Sequence, residues 1–175
     1  MAELSPRAGQ IVEAARELVE AGGADALTMR ALAARLGIRA PSLYKHFPDK
    51  SAVEAELIAI ALAELAAALE CAEHDGGGGG LAALGRAYRA YALGHPHLYR
   101  LMSAGPLPRD LLPAGVEERA ALPLVRIVRG EAAARAVWGL AHGLVMLELD
   151  GRFPPGADIE AAWTAGMSAF ATAAR

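Results

Sequence analysis

Residues 28–50, TMRALAARLGIRAPSLYKHFPDK, carry the most informative pattern in the chain. Ala33 provides a small residue where two short helices would cross. Gly37 follows four positions later, where the turn between those helices needs a residue that tolerates a positive φ. Ile38 and Leu43 are apolar positions that would hold the second helix against a core. Together they predict a helix-turn-helix, whose second helix enters the DNA major groove with its N-terminal residues toward the bases.

Helix caps and periodic apolar positions divide the chain into helices. Ser5-Pro6 is a helix start and Gly22-Gly23 a helix end. Thr28 caps a second helix, and a third is predicted from about Ala40 to Phe47 before Pro48. Further helices are predicted at about residues 49–72, 81–93, 96–102, 117–128, 132–149 and 159–173. No alternating strand pattern occurs. We therefore expect an all-α protein of about nine helices: a three-helix DNA-binding domain at 1–48 and a helical ligand-binding and dimerisation domain at 49–175.

Charge is distributed unevenly along the sequence. The formal net charge of the 175 residues is −3, yet residues 26–50 carry five basic side chains against Asp49 alone. The only two lysines, Lys45 and Lys50, both fall in this block. A basic block on an acidic chain is the electrostatic pattern expected of a nucleic-acid-binding surface.

Several features argue against secretion, a membrane span and a metal centre. Cys71 is the only cysteine, which excludes an intrachain disulfide and indicates a reducing cytoplasm. The N-terminus has no apolar signal region. The apolar segment 132–149 is interrupted by charged residues, so we expect a buried helix there. A run of glycines at 76–80 predicts a flexible connector. Neither a metal nor a cofactor is expected.

The segment 43–50, LYKHFPDK, closely resembles the end of the recognition helix in the TetR family of transcriptional regulators. The resemblance implies phosphate contacts from Thr28, Tyr44, His46 and Lys50. It assigns base reading to a second group of residues, in which Arg39 and Lys45 are the candidates for guanine: Arg30, Arg39, Ala40, Pro41, Ser42 and Lys45. Two alternatives stay open, namely that Tyr44 and Phe47 are mainly core and that His46 caps the helix.

The second half of the chain resembles one TetR C-terminal subfamily, whose name records its Trp, His and Gly. The matching pieces are WGLAHG at 138–143, LELDGRF at 147–153 and HPHLYRLM at 95–102. In that fold the last two helices form a four-helix bundle with a partner subunit, and a ligand cavity lies among the middle helices.

The resemblance and the helical spacing together suggest two sets of residues in the second half. The predicted homodimer contacts are Gly139, Gly143, Trp163, Gly166, Met167 and Phe170. The predicted ligand-binding residues, apolar walls with a few polar tips, are Tyr88, Tyr91, Tyr99, Met102, Trp138, His142 and Met146. An intramolecular core remains the alternative for Trp138 and Phe170, and a satisfied core position the alternative for His142.

These observations predict a cytoplasmic, ligand-responsive DNA-binding regulator, a repressor that a small, largely apolar molecule releases from a near-palindromic operator. Catalysis is not expected, because the sequence has no nucleophile elbow and its glycine run lacks the Lys-Ser/Thr of a phosphate loop. A ligand-independent architectural DNA-binding protein is the alternative. It would distinguish operator from random DNA only weakly.

Overall fold

A computed structural model describes residues 4–74 and 80–173, and within these ranges it contains helices and turns but no strand. This confirms the all-α prediction. The α-helices of this part of the chain are α1 (Pro6–Gly22), α2 (Met29–Arg35), α3 (Ala40–Leu43), α4 (Lys50–His74), α5 (Gly80–Gly94), α6 (Pro96–Ser103), α7 (Val116–Val128), α8 (Glu131–Leu149) and α9 (Ile159–Ala173). Most of the predicted connector, residues 76–79, lies outside the described residues.

Local capping explains where the first helices begin. Ser5 Oγ accepts a hydrogen bond from the Ala8 amide at 3.2 Å, and Asp49 Oδ1 accepts one from the Ala52 amide at 2.9 Å. Each bond satisfies one of the amides that the first turn of a helix leaves without a partner. One boundary differs from the prediction. Regular helix in α3 ends at Leu43, and tighter turns follow as far as His46, whose amide donates to the Leu43 carbonyl at 2.9 Å.

The first of two compact units comprises residues 4–62 and 95–116. Its core joins apolar residues of α1, α2, α3, the first part of α4 and α6. The members with no exposed surface are Ile11, Ala15, Val19, Leu27, Leu32, Leu43, Val53, Leu57, Ala61 and Leu98. The unit is larger than the predicted domain 1–48 because Val53, Leu57 and Leu98 cover apolar faces that the helix-turn-helix cannot bury by itself.

The second unit comprises residues 63–74, 80–94 and 117–173, and in it α5, α8 and α9 pack on one another. Glycines allow close helix approach at two points. A Cβ on Gly85 would lie 3.0 Å from Met167 Cγ, and one on Gly166 would lie 2.9 Å from Leu140 Cδ2. The packing is therefore close enough that both positions require glycine or a shift of the neighbouring side chain.

Arg89 links the three helices of this unit. Its Nε and Nη2 each donate to Glu148 at 2.8 Å, and its Nη1 donates to Glu160. The guanidinium carbon also lies 5.9 Å from the ring centroid of Trp163, within cation–π range. The hydrogen bond to Glu148 raises the pKa of the Arg89 guanidinium above its usual value. Two helices, α8 and α9, are thus held to α5 through one side chain.

Two further arginines connect α7 to the C-terminal part of α4. Arg119 donates to both carboxylate oxygens of Glu70, at 2.9 and 2.7 Å, and Arg126 binds Glu73 in the same bidentate manner. The arginine hydrogen bonds lower the pKa of both glutamates. These pairs are partly exposed, so solvent and salt weaken them.

The helix α8 is buried along only one face. Val137, Ala141 and Val145 are buried in the second unit, whereas Trp138 is 54% exposed. Within the described residues α8 is the one helix long and apolar enough to cross a membrane, a test that core helices of soluble proteins also pass. The prediction of a buried helix therefore holds for one side of α8 within a single chain.

Candidate nucleic-acid interface

The turn between α2 and α3 has the geometry that the sequence predicts. Thr28 Oγ1 caps α2 by accepting a hydrogen bond from the Ala31 amide at 3.0 Å. Gly37 adopts a φ of +64°, a backbone conformation that residues with a Cβ rarely adopt. The Ile38 amide then donates to the Ala33 carbonyl at 3.0 Å, which closes the turn. With proline at 41 in its first turn, α3 begins immediately after Arg39.

Buried side chains fix α3 against the first unit. Leu43 and Phe47 are both in its core, and Ala33 is buried in α2, where the sequence analysis places the helix crossing. Tyr44 is 52% exposed, so it is not a core residue, while Phe47 is. The recognition helix is thus held by its inward residues and leaves its outward side free.

The predicted base-reading and phosphate-binding residues all lie in the first unit, between Thr28, which caps α2, and Lys50, the first residue of α4. Arg30, Arg39 and Lys45 are exposed, and within residues 4–74 and 80–173 none of them forms an ion pair. The remaining members vary in exposure: Thr28, Pro41, Tyr44 and His46 are exposed, whereas Ala40, Ser42 and Lys50 are partly buried. Three unpaired cations beside hydroxyl, phenol and imidazole groups form a surface suited to a polyanion.

Lys50 and Arg35, the other two cations of the basic block, have partners inside the protein. The Lys50 Nζ donates to the Ala24 carbonyl at 3.0 Å and lies 3.1 Å from Glu54 Oε1. Arg35 binds Glu17 of α1. Ala24 and Glu17 lie outside the motif, so its spacing does not reveal them, whereas the four-residue spacing of Lys50 and Glu54 on α4 is a local signal that could have revealed that pair. Five cations of similar sequence context therefore differ in how readily they can meet DNA.

A second set of contacts that sequence analysis missed joins α6 to α1. His95 Nδ1 lies 2.9 Å from Glu20 Oε1. The His97 ring packs beside Gly23, where a Cβ would lie 3.4 Å from Nδ1. His95 and Glu20 are 75 residues apart in sequence, so no local pattern could have revealed the pair. The His95-Pro96 start of α6 is as predicted.

The predicted ligand-binding residues do not fall in one compact unit. Tyr99 is buried in the first unit and Met102 packs against its core. The second unit holds the other five. Tyr88 and Tyr91 are buried there, and the Tyr91 hydroxyl donates to Glu64 at 3.3 Å. His142 and Met146 are half-buried, and the His142 ring lies 6.3 Å from that of Trp138.

The predicted dimer residues divide into two groups. A Cβ on Gly139 or Gly143 would meet no atom within 4 Å, so this side of α8 is open in the single chain. Trp163 and Met167 are instead buried in the second unit. This differs from their predicted role, because the close approach of α5 and α9 at Gly85 covers that side of α9 within one subunit. Gly166 contacts Leu140 of the same chain, and Phe170 is half-buried.

Comparison with known proteins gives a consistent result for both halves of the chain. Residues 11–57 match the family model described as bacterial regulatory proteins, tetR family. Residues 81–170 match the model described as tetracyclin repressor-like, C-terminal domain. The match does not test the Trp-His-Gly subfamily, which stays a prediction.

Individual relatives agree with these matches. An uncharacterised helix-turn-helix transcriptional regulator of Mycobacterium tuberculosis is 32% identical over 81% of this chain and 69% of its own length. A protein of unknown function from Rhodococcus sp. RHA1 has a similar structure, with a TM-score of 0.79 and 25% identity over 98% of this chain and 97% of that one. A TetR variant from Acinetobacter baumannii AYE in complex with minocycline shares the fold, with a TM-score of 0.69 and 24% identity over 98% and 96% of the two chains.

The exposed basic surface on a helix-turn-helix, the helical second half and these matches lead to one conclusion. The chain belongs to the TetR family, and it is a DNA-binding transcriptional regulator and not an enzyme.

Proposed function

We propose that this regulator is a homodimeric, cytoplasmic repressor that a small molecule releases from a near-palindromic operator. Residues 1–48, together with Lys50 at the start of α4, supply the DNA contacts, and the remainder of residues 49–175 supplies the ligand-binding and dimer contacts. The repressor class follows the description of the family model that matches residues 81–170.

The observation that carries the proposal is the exposed, unpaired state of Arg39 and Lys45, which lie just before and just after a firmly anchored α3. An arginine or lysine can donate two hydrogen bonds to guanine O6 and N7, the commonest specific contact in the major groove. In our assignment Arg39 and Lys45 read guanine, with Arg30, Ala40, Pro41 and Ser42 beside the bases. Thr28, Tyr44, His46 and Lys50 contact phosphates, which sets the register of the helix on the duplex.

The outward side of α8 supports a homodimer. Ala136, Gly139 and Leu147 are exposed there, Gly143 is half-buried, and their spacing of three to four residues places them on one stripe. Exposed Ala161, Ala165 and Ala169 form a comparable stripe of small residues on α9. Small residues allow two helices to pack closely. A symmetric dimer through these stripes would bring two recognition helices to sites about one DNA turn, ~34 Å, apart.

The third part of the proposal is a response to a small molecule. The minocycline complex of the Acinetobacter protein is one example of a small molecule bound by a protein of this fold. In the second unit we assign ligand contacts to Tyr88, Tyr91, Trp138, His142 and Met146, while the role of Tyr99 and Met102, which belong to the first unit, stays a separate prediction. Such a lining suits a largely apolar molecule with few polar groups. A ligand that prefers the conformation with poor DNA affinity lowers operator binding by the coupling free energy, typically about 1–3 kcal/mol.

Selection of bound sequences from random DNA, followed by mobility-shift assays on the DNA flanking the gene, tests this function. We expect two related half-sites with centres about 10 base pairs apart. The preference over scrambled DNA should be at least about 1000-fold. Candidate metabolites are then added to the complex. A specificity ratio near one would favour the architectural alternative, and tighter binding with ligand would reverse the proposed direction of control.

Substitutions separate the two kinds of DNA contact. Arg39→Ala should relax the preference at one base position, by about 1–3 kcal/mol. Lys50→Ala should weaken binding to every sequence and reduce the slope of log affinity against log salt by about 0.9. Arg35→Ala is the matched control, because it removes a cation of the same motif that binds Glu17 and has no assigned DNA contact. Unchanged binding in both Arg39→Ala and Lys50→Ala would refute the residue assignments.

A further inference from the structure

The ammonium of Lys50 is shared between two acceptors of the protein itself. The Ala24 carbonyl, just after α1, accepts one hydrogen bond at 3.0 Å, and Glu54, one turn further along α4, lies 3.1 Å away. We propose that Glu54 competes with DNA phosphate for Lys50 and so limits the affinity of the protein for all DNA. The inference rests on the phosphate contact that the proposed function gives to Lys50, and it concerns a residue to which that function gives no role.

The two internal acceptors differ in how easily a phosphate could replace them. The Ala24 carbonyl belongs to the turn after α1, so its position is fixed by the fold. The Glu54 carboxylate is on a flexible side chain, and the lysine and glutamate side chains are 38% and 23% exposed. An ammonium has three N–H donors. Lys50 can therefore keep the Ala24 bond, which holds its Nζ at the start of α4, and exchange Glu54 for a phosphate oxygen.

The order of the pair on the helix makes this exchange favourable. A lysine that precedes a glutamate by four residues forms a weaker helical pair than the reverse order. A partly exposed lysine–glutamate pair contributes little free energy. A contact between the lysine and a DNA phosphate gains more, because it also releases condensed counterions from the DNA. The contrast with Arg39 and Lys45 supports a specific role for Glu54. Those cations have no ion pair to break within the described residues, while Lys50 must leave one.

Glu54 thus acts only through Lys50, as a competitor of DNA phosphate for its ammonium group. Its removal should have an effect only when Lys50 is present, and this condition distinguishes competition from the general repulsion between any carboxylate and DNA. Glu56 provides the matched control, since it lies two residues further along α4 and forms no ion pair within the described residues.

The test is a double-mutant cycle on the full-length protein. Fluorescence anisotropy measures binding to two labelled duplexes, a site recovered by selection from random DNA and a scrambled duplex, at salt concentrations between about 50 and 200 mM. Glu54→Gln should tighten binding to both duplexes by about two- to fivefold, which corresponds to the release of a partly exposed ion pair. The DNA affinity of Glu54→Gln should also depend more steeply on salt, because Lys50 then reaches the phosphate without a neighbouring carboxylate that neutralises its charge. In the Lys50→Ala background Glu54→Gln should change affinity no more than Glu56→Gln does.

Every other outcome would contradict the proposed competition between Glu54 and DNA phosphate for Lys50. An equal gain with and without Lys50, or an equal gain from Glu56→Gln, would show a general effect of charge. A loss of affinity in Glu54→Gln would show that the glutamate holds Lys50 ready for DNA. If Lys50→Ala itself leaves binding unchanged, the proposed phosphate contact fails, and the inference fails with it. If Lys50→Ala weakens binding but Glu54→Gln has no effect, the inference fails alone. Thermal unfolding of each variant verifies that the fold is retained.

Discussion

Trp138 offers a quantitative test of the proposed homodimer, because it is a large apolar side chain exposed on α8, one of the two helices to which we assign dimer contacts. An aromatic side chain buries about 150–250 Å² when fully covered. The indole is 54% exposed in the single chain, so a partner could cover roughly 80–135 Å² more per subunit. At about 25 cal/mol per Å², this is about 2–3 kcal/mol for each subunit and about 4–7 kcal/mol for a symmetric pair.

Trp138→Ala should therefore weaken dimer association strongly. The area calculation is an upper estimate, so we expect the dissociation constant to rise by at least about 100-fold, where each factor of ten is 1.4 kcal/mol. Sedimentation equilibrium measures the constant directly. Leu122→Ala is the control, since Leu122 is 45% exposed on α7 of the same unit. A change below about tenfold in Trp138→Ala, or an equal change in the control, would refute the reasoning and leave the ligand-binding role of Trp138.

Three further predictions concern stability. Arg89→Met should lower the free energy of unfolding, measured in urea, by about 2–4 kcal/mol, because it leaves the largely buried Glu148 without its partner; a loss below 1 kcal/mol would contradict this role. Gly37→Ala should lower the same free energy of unfolding by about 1–2 kcal/mol, because the backbone at position 37 has a positive φ. Gly37→Asn should lower it less, because asparagine tolerates a positive φ better than alanine does. The lowered pKa of Glu70 means that its stabilisation is present above the ordinary glutamate pKa and is lost as the pH falls through the lowered value. Arg119→Ala should therefore flatten the decrease of melting temperature on acidification, and an unchanged pH profile would exclude a contribution from this pair.

The parts of the fold that the sequence predicts well depend on residues close together in the chain. Thr28 caps α2 by bonding an amide three residues away, and Gly37 supplies the positive φ of the turn within the same motif. Such interactions follow from residue type and spacing alone. The same is true of the starts of α1 and α6, where a proline follows the cap position.

The interactions that the sequence did not predict are formed across the fold. Lys50 donates to a carbonyl 26 residues away, and Arg89 binds Glu160 across 71 residues. Neither partner can be chosen from spacing, because many charged residues are available and only the packing of the helices brings one of them near. The internal partners of Lys50 and Arg35 decide which cations of the basic block remain free for DNA, and the motif alone does not reveal the Ala24 carbonyl or Glu17 as those partners.

The assignment of faces on α8 and α9 shows a second limit. Helical periodicity identifies Trp163, Met167 and Trp138 as apolar positions, but it cannot distinguish a neighbour of the same chain from a second subunit. The close contact of Met167 with Gly85 places this residue against α5 of the same chain. Trp138 has no such cover and keeps its exposed surface.

The size of the first unit has a consequence for how the DNA-binding segment is stabilised. The helix-turn-helix contributes few large apolar side chains, and Leu32 and Leu43 become fully buried only in a core that also contains Val53, Leu57 and Leu98. Leu98 belongs to α6, which lies outside the motif and beyond the whole of α4 in the sequence. The orientation of the recognition helix thus depends energetically on a segment in the second half of the chain. In our proposal the boundary at residue 48 separates DNA binding from ligand binding and dimerisation. The hydrophobic core does not follow this boundary, because it joins the helix-turn-helix to α4 and α6.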